Sequence, residues 1–161
     1  MIVANRGYCL GVGFELSLAC DFHIASETTL YALPEQKLGQ IPRLGGSARL
    51  QKMIGITRTK DIVMRSKLIP AKQAFDWCIA TECVPDPELE KVTDKLVDEL
   101  RTFAPLAQRT AKKLLNDTED STLTVAIELE GHCYSRLRQS EDFKEGVEAV
   151  NAKRPPKFIG R

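Results

Sequence analysis

Short apolar runs alternate with glycine-rich segments in the first part of the chain. Residues 2–4, 21–26 and 30–32 carry the apolar, β-branched and aromatic side chains that are typical of buried strands. After Gly11 the pattern changes to helical spacing and predicts a short buried helix with little polar surface. Its apolar positions are Phe14, Leu16, Leu18 and Ala19. Strands that alternate with a helix in this way indicate an α/β fold.

The later part of the chain is predicted to be mostly helical. One helix is predicted to begin at Pro70, and another near Asp86, which suits an N-cap because Pro87 would occupy the first helical position. The apolar residues that follow repeat at helical spacing: Leu89, Val92, Leu96, Val97 and Leu100. This spacing gives the helix one apolar face to bury.

Three further helices are predicted in this region. One begins at Pro105, one runs from about 121 to 138, and one follows a Ser140 cap as far as 150. We therefore divide the chain into residues 1–65, which carry the predicted strands, and residues 66–161, which are helical. The apolar stripes of the helical region suit either the covering of a core or contacts between subunits.

The composition is that of a globular chain with one core. Of its 161 residues, 43% are hydrophobic, which is enough to form that core. The net charge of +1 gives no reason to expect a nucleic-acid partner, and no apolar run approaches the length that crosses a membrane. We expect a cytoplasmic protein, or one of the mitochondrial matrix if the source is a eukaryote.

The cysteines and histidines do not predict a metal site. The five cysteines form no CxxC pair and are odd in number, which favours reduced thiols: Cys9, Cys20, Cys78, Cys83 and Cys133. His23 and His132 are far apart in the chain, and His23 is interpreted as a strand residue whose ring is satisfied locally. We predict no metal and no separate cofactor.

Two glutamates lie in turns marked by glycine or proline. Glu15 belongs to the glycine-rich segment 7–16, and Glu35 follows the end of a predicted strand. Two carboxylates near one small space can orient a water molecule and transfer its protons. The first N–H groups of the helix that carries Glu15 lie near Val12 and Gly13, where they can stabilise a negatively charged oxygen. Together these features indicate acid–base catalysis.

Each feature also has a non-catalytic interpretation. A glutamate in the first turn of a helix is favoured by the helix dipole without any further role. Gly45 and Gly46 precede a predicted helix, where they form either an anion-friendly helix start or an ordinary loop-to-helix junction. The spacing by itself therefore leaves the function open.

Three segments taken together resemble the crotonase (enoyl-CoA hydratase/isomerase) superfamily. They are residues 7–21, Pro34-Glu35-x-x-x-Gly39 and Gly45-Gly46-x-x-Arg49-Leu50, in that family's order and spacing. The resemblance continues to Ser140-Glu141-Asp142-Phe143-Lys144-Glu145-Gly146 and so covers nearly the whole chain. The pattern is most similar to enoyl-CoA hydratase. It implies the later portion of a β-β-α spiral, followed by a helical oligomerisation region.

The resemblance implies roles for individual residues. Glu15 and Glu35 match the glutamates that hold the catalytic water, with Glu35 as proton donor to the α carbon and Glu15 as the residue that activates or positions the water. The backbone N–H of Val12 matches a donor of the oxyanion hole. Val12 and Arg43 stand where many relatives carry glycine, which implies a different acyl pocket. The residues expected to line the substrate pocket are Gly11, Gly13, Pro34 and Arg43.

The resemblance also implies partners. The substrate would be an acyl-CoA thioester, and relatives assemble as trimers, often paired into hexamers. Their C-terminal region approaches the CoA nucleotide, so Lys153 and Lys157 are candidate phosphate contacts, although a solvated tail is the more common role for such a basic end. The family domain extends further on the N-terminal side, where the resemblance implies the second oxyanion-hole donor and most contacts to the CoA adenine. We therefore expect this chain to be part of that domain and a poor catalyst by itself.

Three functions follow from these residues. The first is hydration of a 2-enoyl-CoA, which both glutamates favour. The second is another reaction on acyl-CoA, such as double-bond isomerisation or hydrolysis; isomerases of the family commonly use one glutamate near the position of Glu35. The third is a non-catalytic role as an assembly fragment.

Overall fold

Parallel strands and short helices build the first part of the computed structural model, which describes residues 1–161. The predicted strands and the predicted buried helix are confirmed. The elements in chain order are β1 (Ile2–Asn5), β2 (Tyr8–Leu10), α1 (Val12–Leu18), β3 (Phe22–Ser26), β4 (Leu30–Ala32), a 3-10 helix (Pro34–Leu38), α2 (Gly46–Ile54), α3 (Ile56–Met64), β5 (Ile69–Pro70), α4 (Ala71–Asp76) and β6 (Glu82–Val84).

Helices make up the remainder of the chain. After a 3-10 turn (Asp86–Glu88), these are α5 (Leu89–Arg101), α6 (Pro105–Thr118), α7 (Leu123–Leu137) and α8 (Glu141–Asn151). The helices predicted at Pro105 and after Ser140 are confirmed, and the helix predicted from about 121 begins two residues later, behind a Thr122 cap. None of the eight α-helices combines the length and apolar character needed to cross a membrane.

Six strands form two three-stranded sheets. In the first, β3 lies between β1 and β6, and all three run parallel. In the second, β4 pairs in parallel with β2 and antiparallel with β5. Because β1 and β2 follow each other in the chain but belong to different sheets, the chain passes from one sheet to the other between them. The same happens between β3 and β4.

Helix α1 packs its apolar face into the core between these strands. Phe14 is fully buried and stacks on Tyr31 of β4, with ring centroids 4.9 Å apart. Leu18, one turn later, is 5% exposed. Burying side chains of this size contributes about 1.5–3 kcal/mol each relative to exposure. This packing holds α1 against β4, and both elements lead to a predicted site residue.

The structure differs from the sequence expectation at β2, β6 and Asp86. Residues 8–10 form β2 although we had placed them in a turn, and β6 lies in the region predicted to be helical. Asp86 does not cap a helix, because its carboxylate accepts hydrogen bonds from Ser26, Thr28 and Arg6. These partners are distant in sequence, so local patterns do not reveal them.

The chain forms two compact units, Met1–Leu96 and Val97–Arg161. The change in composition that we placed after residue 65 does not coincide with this boundary. The reason is strand pairing: β5 pairs with β4, and β6 pairs with β3, so both belong to the first unit. Division of the chain into functional domains at 65/66 stays a prediction.

In the second unit the C-terminal tail, which comprises residues 152–161, folds back on the start of α8. Asp142 is only 3% exposed, and its carboxylate accepts the N–H groups of Ile159 (2.7 Å) and Gly160 (2.9 Å). Its own N–H donates to the carbonyl of Arg161 at 2.9 Å. Hydrogen bonds to a charged group contribute about 1.5–3 kcal/mol each. Asp142 therefore anchors the tail.

We expect Asp142→Asn to lower the free energy of unfolding by about 1–3 kcal/mol, because the amide NH₂ cannot accept the second tail N–H. Urea denaturation followed by circular dichroism measures this change. The matched control is Asp98→Asn, since Asp98 is 76% exposed and only pairs with Arg101 on its own helix. We expect the control to stay within about 0.5 kcal/mol of the parent. Equal stability of the two variants would contradict the anchoring role.

Candidate active site

Gly11 sets the geometry of the turn that begins α1. Its φ of 52° lies in the left-handed region, which favours glycine. Its N–H donates to the carbonyl of Ala32 at the end of β4, and its carbonyl accepts the N–H of Glu15, both at 2.9 Å. The turn therefore connects the end of β4 directly to the first turn of α1.

Glu15 is a buried carboxylate held by the backbone of another turn. The residue is 2% exposed, and its Oε1 accepts the N–H groups of Leu44 (2.8 Å) and Gly46 (2.9 Å). Gly46 is the first residue of α2, so the carboxylate lies at the positive end of that helix dipole. These charge-assisted hydrogen bonds compensate for the cost of burying the group. The partners lie 29 and 31 residues further along the chain.

Gly46 leaves just enough space for this carboxylate. A Cβ at Gly46 would lie 2.8 Å from Cγ and 3.0 Å from Oε1 of Glu15. The Gly45–Gly46 pair is therefore more than a loop-to-helix junction, because it supplies both a donor and a close approach. The sequence did not identify Leu44 and Gly46 as carboxylate partners, since they act through backbone N–H groups. The glycine pair was the only sequence feature that indicated an anion-binding helix start here.

Glu35 lies in the 3-10 helix that follows β4, with Pro34 before it in the first turn. The side chain is half-buried, and its Oε2 is buried with no hydrogen-bond partner in the protein. Nearly all buried polar atoms in native proteins have a partner, so such an atom indicates a strained or functional site. Glu35 thus offers a buried acceptor to a ligand.

Glu35 lies beside the turn that begins α1, and Glu15 lies in the first turn of that helix. Oε1 of Glu35 lies 3.0 Å from the position that a Cβ would have at Gly11, and the N–H of Glu15 bonds to the carbonyl of the same residue. Gly11 therefore links both glutamates, and any side chain at this position would contact Glu35. The structure thus places Glu35 beside the turn that leads to Glu15. A shared catalytic use of the two carboxylates stays a prediction.

Val12 and Gly13 form the open start of α1. Both are exposed, and 55% of Val12 is accessible. The first N–H groups of a helix have no intrahelical acceptor and attract negative charge. The Val12 N–H therefore lies at the helix end that the Glu35 carboxylate approaches at Gly11. Its side chain projects from an exposed position and can restrict what approaches this end.

Arg43 is exposed in the loop before α2, directly before the Leu44 that donates to Glu15. Ile41 of the same loop is 68% exposed, and Leu38, at the end of the preceding 3-10 helix, is 75% exposed. Pro34 is half-buried beside Glu35. The loop that holds the Glu15 carboxylate therefore also presents apolar side chains and one cation to the surface.

Lys153 and Lys157 belong to the second compact unit and are exposed. The Lys157 N–H and the Arg154 guanidinium both donate to Glu145. Together they lower the pKa of the Glu145 carboxyl from 4.5 to about 2, with Arg154 as the larger cause. Part of the positive charge at this end is therefore neutralised within the unit. A CoA phosphate contact by the two lysines stays a prediction.

A cavity of about 590 Å³ lies within the second unit and is lined mainly by apolar side chains of α6, α7, α8 and the tail. It contains none of the predicted site residues. The size suits a small molecule, but cavity size alone does not identify a function. We therefore base the candidate active site on the carboxylates and the helix end.

His23 is held by backbone carbonyls. Its ring nitrogens lie 2.7 Å from the carbonyl oxygen of Ile79 and 3.0 Å from that of Cys20. The side chain is 6% exposed. The ring N–H therefore has a carbonyl acceptor in either tautomer, which agrees with the interpretation of His23 as a locally satisfied strand residue.

Comparisons with known proteins agree with these features. The family model described as enoyl-CoA hydratase/isomerase matches residues 1–161. An enoyl-CoA isomerase/hydratase of Mycosarcoma maydis is 37% identical over 99% of this chain, and the 2,3-dehydroadipyl-CoA hydratase of Escherichia coli is 32% identical over 100%. The crystal structure of an enoyl-CoA hydratase from Bacillus anthracis superposes with a TM-score of 0.97 at 33% identity, covering 99% of this chain.

The chain spans only part of these proteins. It covers 59% of the Mycosarcoma maydis protein, 63% of the Escherichia coli protein and 62% of the Bacillus anthracis chain. The similarity therefore extends over nearly the whole of this chain and concerns only part of each relative's fold.

Proposed function

The chain belongs to the enoyl-CoA hydratase/isomerase family, and from this we propose that it carries the catalytic carboxylates of an enzyme that adds water across the double bond of a 2-enoyl-CoA thioester. The observation that carries the proposal is the arrangement around Gly11. Glu15, in the first turn of α1, has a buried and hydrogen-bonded carboxylate. Glu35, whose Oε2 is buried without a partner, approaches Gly11 at the start of the same helix. Hydration needs two such groups and a site for negative charge.

The helix end supplies the site for negative charge. When water adds to an α,β-unsaturated thioester, electrons move from the double bond towards the carbonyl, and its oxygen gains negative charge. The N–H of Val12 would donate to this oxygen, which the partial positive charge of the helix end also stabilises. One such donor typically accounts for about 10²–10³ in turnover. Because the contact uses backbone, valine serves as well as glycine, while its side chain narrows the approach.

The two carboxylates have different roles in the reaction. The water oxygen bonds to the β carbon while a water proton passes to Glu35, and Glu35 passes a proton on to the α carbon. Glu15 would orient the water, because two backbone donors hold its Oε1 in place. Glu35 would deliver the proton to the α carbon, because its Oε2 has no competing partner in the protein. The reaction consumes one water and leaves both carboxylates as they began.

Isomerisation of an enoyl-CoA is the second candidate. One observation favours it: Glu15 is already engaged by Leu44 and Gly46, which leaves Glu35 as the carboxylate with a free buried oxygen. A single carboxylate can move a proton between two carbons of a thioester. Either reaction uses an acyl-CoA thioester and needs no separate cofactor. A trimeric or hexameric assembly and a cytoplasmic or mitochondrial location stay predictions.

The test is the hydration of crotonyl-CoA, followed as loss of the enoyl-thioester absorbance. We expect turnover that saturates with substrate, because both carboxylates and the helix end are in place. A 3-enoyl-CoA serves as the parallel substrate, and formation of the conjugated 2-enoyl product reports isomerisation. Turnover of the 3-enoyl-CoA without hydration would replace the first proposal by the second. The same assays are run on a longer form that matches the full length of the relatives, of which this chain covers 59–63%. Absence of both reactions in both forms, with acyl-CoA still bound, would contradict an enzymatic role.

A further inference from the structure

A cluster of buried polar side chains lies where the two sheets meet α1. We call it the Asn5 cluster, and its members are 0–8% exposed: Asn5, Cys9, Ser17, Thr29 and Tyr31. They come from the end of β1, from β2, from α1, from β4 and from the residue directly before β4. The proposed reaction uses none of them. Polar groups at such depth need a reason, because burying them costs free energy unless they are paired.

The side chain of Asn5 is the centre of this cluster. Its Nδ2 donates to the hydroxyl of Ser17 at 2.8 Å and to the hydroxyl of Tyr31 at 3.0 Å. Its Oδ1 accepts from the thiol of Cys9 at 3.5 Å. An amide nitrogen has two hydrogens, so both are used. The backbone carbonyl of Asn5 accepts the hydroxyl of Thr29 at 2.7 Å.

The members of the cluster stay neutral. Burial raises the pKa of the Cys9 thiol to about 11, against an opposing hydrogen bond from Ser17. Burial also raises the pKa of Tyr31, while its hydrogen bond with Asn5 opposes the rise. Both groups therefore keep their protons throughout the neutral range. The hydrogen bonds of the cluster do not change with pH there, which suits a fixed support better than a switch.

Asn5 Nδ2 donates two hydrogen bonds, which we call the arms of the amide. One arm holds α1, which carries Glu15, and the other holds β4, which leads to Glu35. Ser17 lies on α1, two residues after Glu15. Tyr31 lies on β4, four residues before Glu35. One rigid amide therefore connects the helix of one carboxylate to the strand that leads to the other. Displacing a reacting group by about 1 Å can reduce turnover about 100-fold.

We propose that Asn5 is a positioning residue that sets the spacing between α1 and β4 and thereby the relative placement of Glu15 and Glu35. This inference rests on the proposed function, because it assigns a catalytic use to the spacing. Apolar packing of Phe14 on Tyr31 also holds α1 and β4 together, but such contacts have no preferred direction. The two hydrogen bonds from the planar Asn5 amide are directional, so they fix the distance between the two elements.

The experiment removes each arm of the amide separately, because Asn5→Ala leaves several buried groups unpaired and can prevent folding. Ser17→Ala removes the arm to α1, and Tyr31→Phe removes the arm to β4. Ser17→Thr restores a hydroxyl at the first position. The matched control is Ser66→Ala, since Ser66 is 8% exposed and its buried hydroxyl has no hydrogen-bond partner. Turnover of crotonyl-CoA and hydrogen exchange of residues 12–18 are measured for each variant.

We expect Ser17→Ala and Tyr31→Phe each to lower kcat about tenfold, with KM changed less than about threefold. Ser17→Thr recovers most of the loss, and Ser66→Ala stays at the parent level. In the double variant Ser17→Ala/Tyr31→Phe, the factor by which kcat falls is smaller than the product of the two single factors, because both arms act through one amide. Hydrogen exchange in residues 12–18 rises in Ser17→Ala and not in Ser66→Ala.

Two results would overturn the inference. One is parent-like kcat in both single variants, corrected for the folded fraction. The other is unchanged exchange of residues 12–18 in Ser17→Ala. If neither the parent chain nor its longer form turns over crotonyl-CoA or a 3-enoyl-CoA, the proposed function fails, and the exchange measurement still decides whether the amide holds α1. The two failures are therefore separate observations.

Discussion

Glu35→Gln is expected to lower the turnover of crotonyl-CoA by about 10²–10⁴ while acyl-CoA binding persists. Glutamine has nearly the same size as glutamate and keeps an oxygen acceptor, but it cannot donate or accept the transferred proton. The buried Oε2 of Glu35 has no partner in the protein, so the substitution breaks no hydrogen bond that supports the fold. Loss of turnover then reports chemistry and not stability.

Two measurements distinguish these effects. Binding of a saturated acyl-CoA, by calorimetry, is expected to change less than about threefold, and thermal unfolding is expected to match the parent. Glu27→Gln is the control, because this substitution removes the same charge from an exposed residue in the loop between β3 and β4. Near-normal turnover in Glu35→Gln would rule out Glu35 as the proton donor.

Gly46→Ala is expected to reduce kcat by about 10–100-fold, because it displaces the second carboxylate. The added methyl group would lie 2.8 Å from Cγ and 3.3 Å from Cδ of Glu15. Glu15 must then move away from the N–H donors of Leu44 and Gly46. Overpacking of a filled site also costs about 1–3 kcal/mol of stability. Steady-state kinetics, corrected for the folded fraction, measures the catalytic part.

A second-site change tests the cause of this loss. Glu15→Asp shortens the carboxylate by one methylene, so in the Gly46→Ala background it makes room for the new methyl group. We compare kcat values relative to the parent. The relative kcat of the double variant is expected to exceed the product of the relative kcat values of the two single variants, since the two positions are in contact. Gly131→Ala is the matched control, because a Cβ at this position in α7 meets nothing within 4 Å. Additive losses would show that Gly46 does not act through Glu15.

Local sequence patterns predicted most elements of the fold. The apolar runs predicted β1, β3 and β4, and the spacing after Gly11 predicted α1, because side-chain periodicity follows backbone geometry. Caps and prolines placed the starts of α6 and α8, since these residues satisfy or remove the free N–H groups of a first turn. Such signals depend only on neighbours in the chain.

Strands that pair over long distances were not predicted. Strand β6 has only three residues. It is defined by its pairing with residues of β3 that lie 58 positions earlier in the chain. The carboxylate of Asp86 was expected to cap a helix, but Ser26, Thr28 and Arg6 hold it. Contacts between distant residues leave no local periodicity, so a single sequence does not show them.

For the candidate site, the sequence by itself identified the candidate catalytic residues and their resemblance to the crotonase pattern. Glu15, Glu35 and the glycines around them are visible as residue types at fixed spacings. Only the tertiary structure decided their states: it bonded Glu15 to Leu44 and Gly46, and left the buried Oε2 of Glu35 without a partner. Backbone N–H groups are the same in every residue except proline, so only the folded chain determines which of them reach a carboxylate.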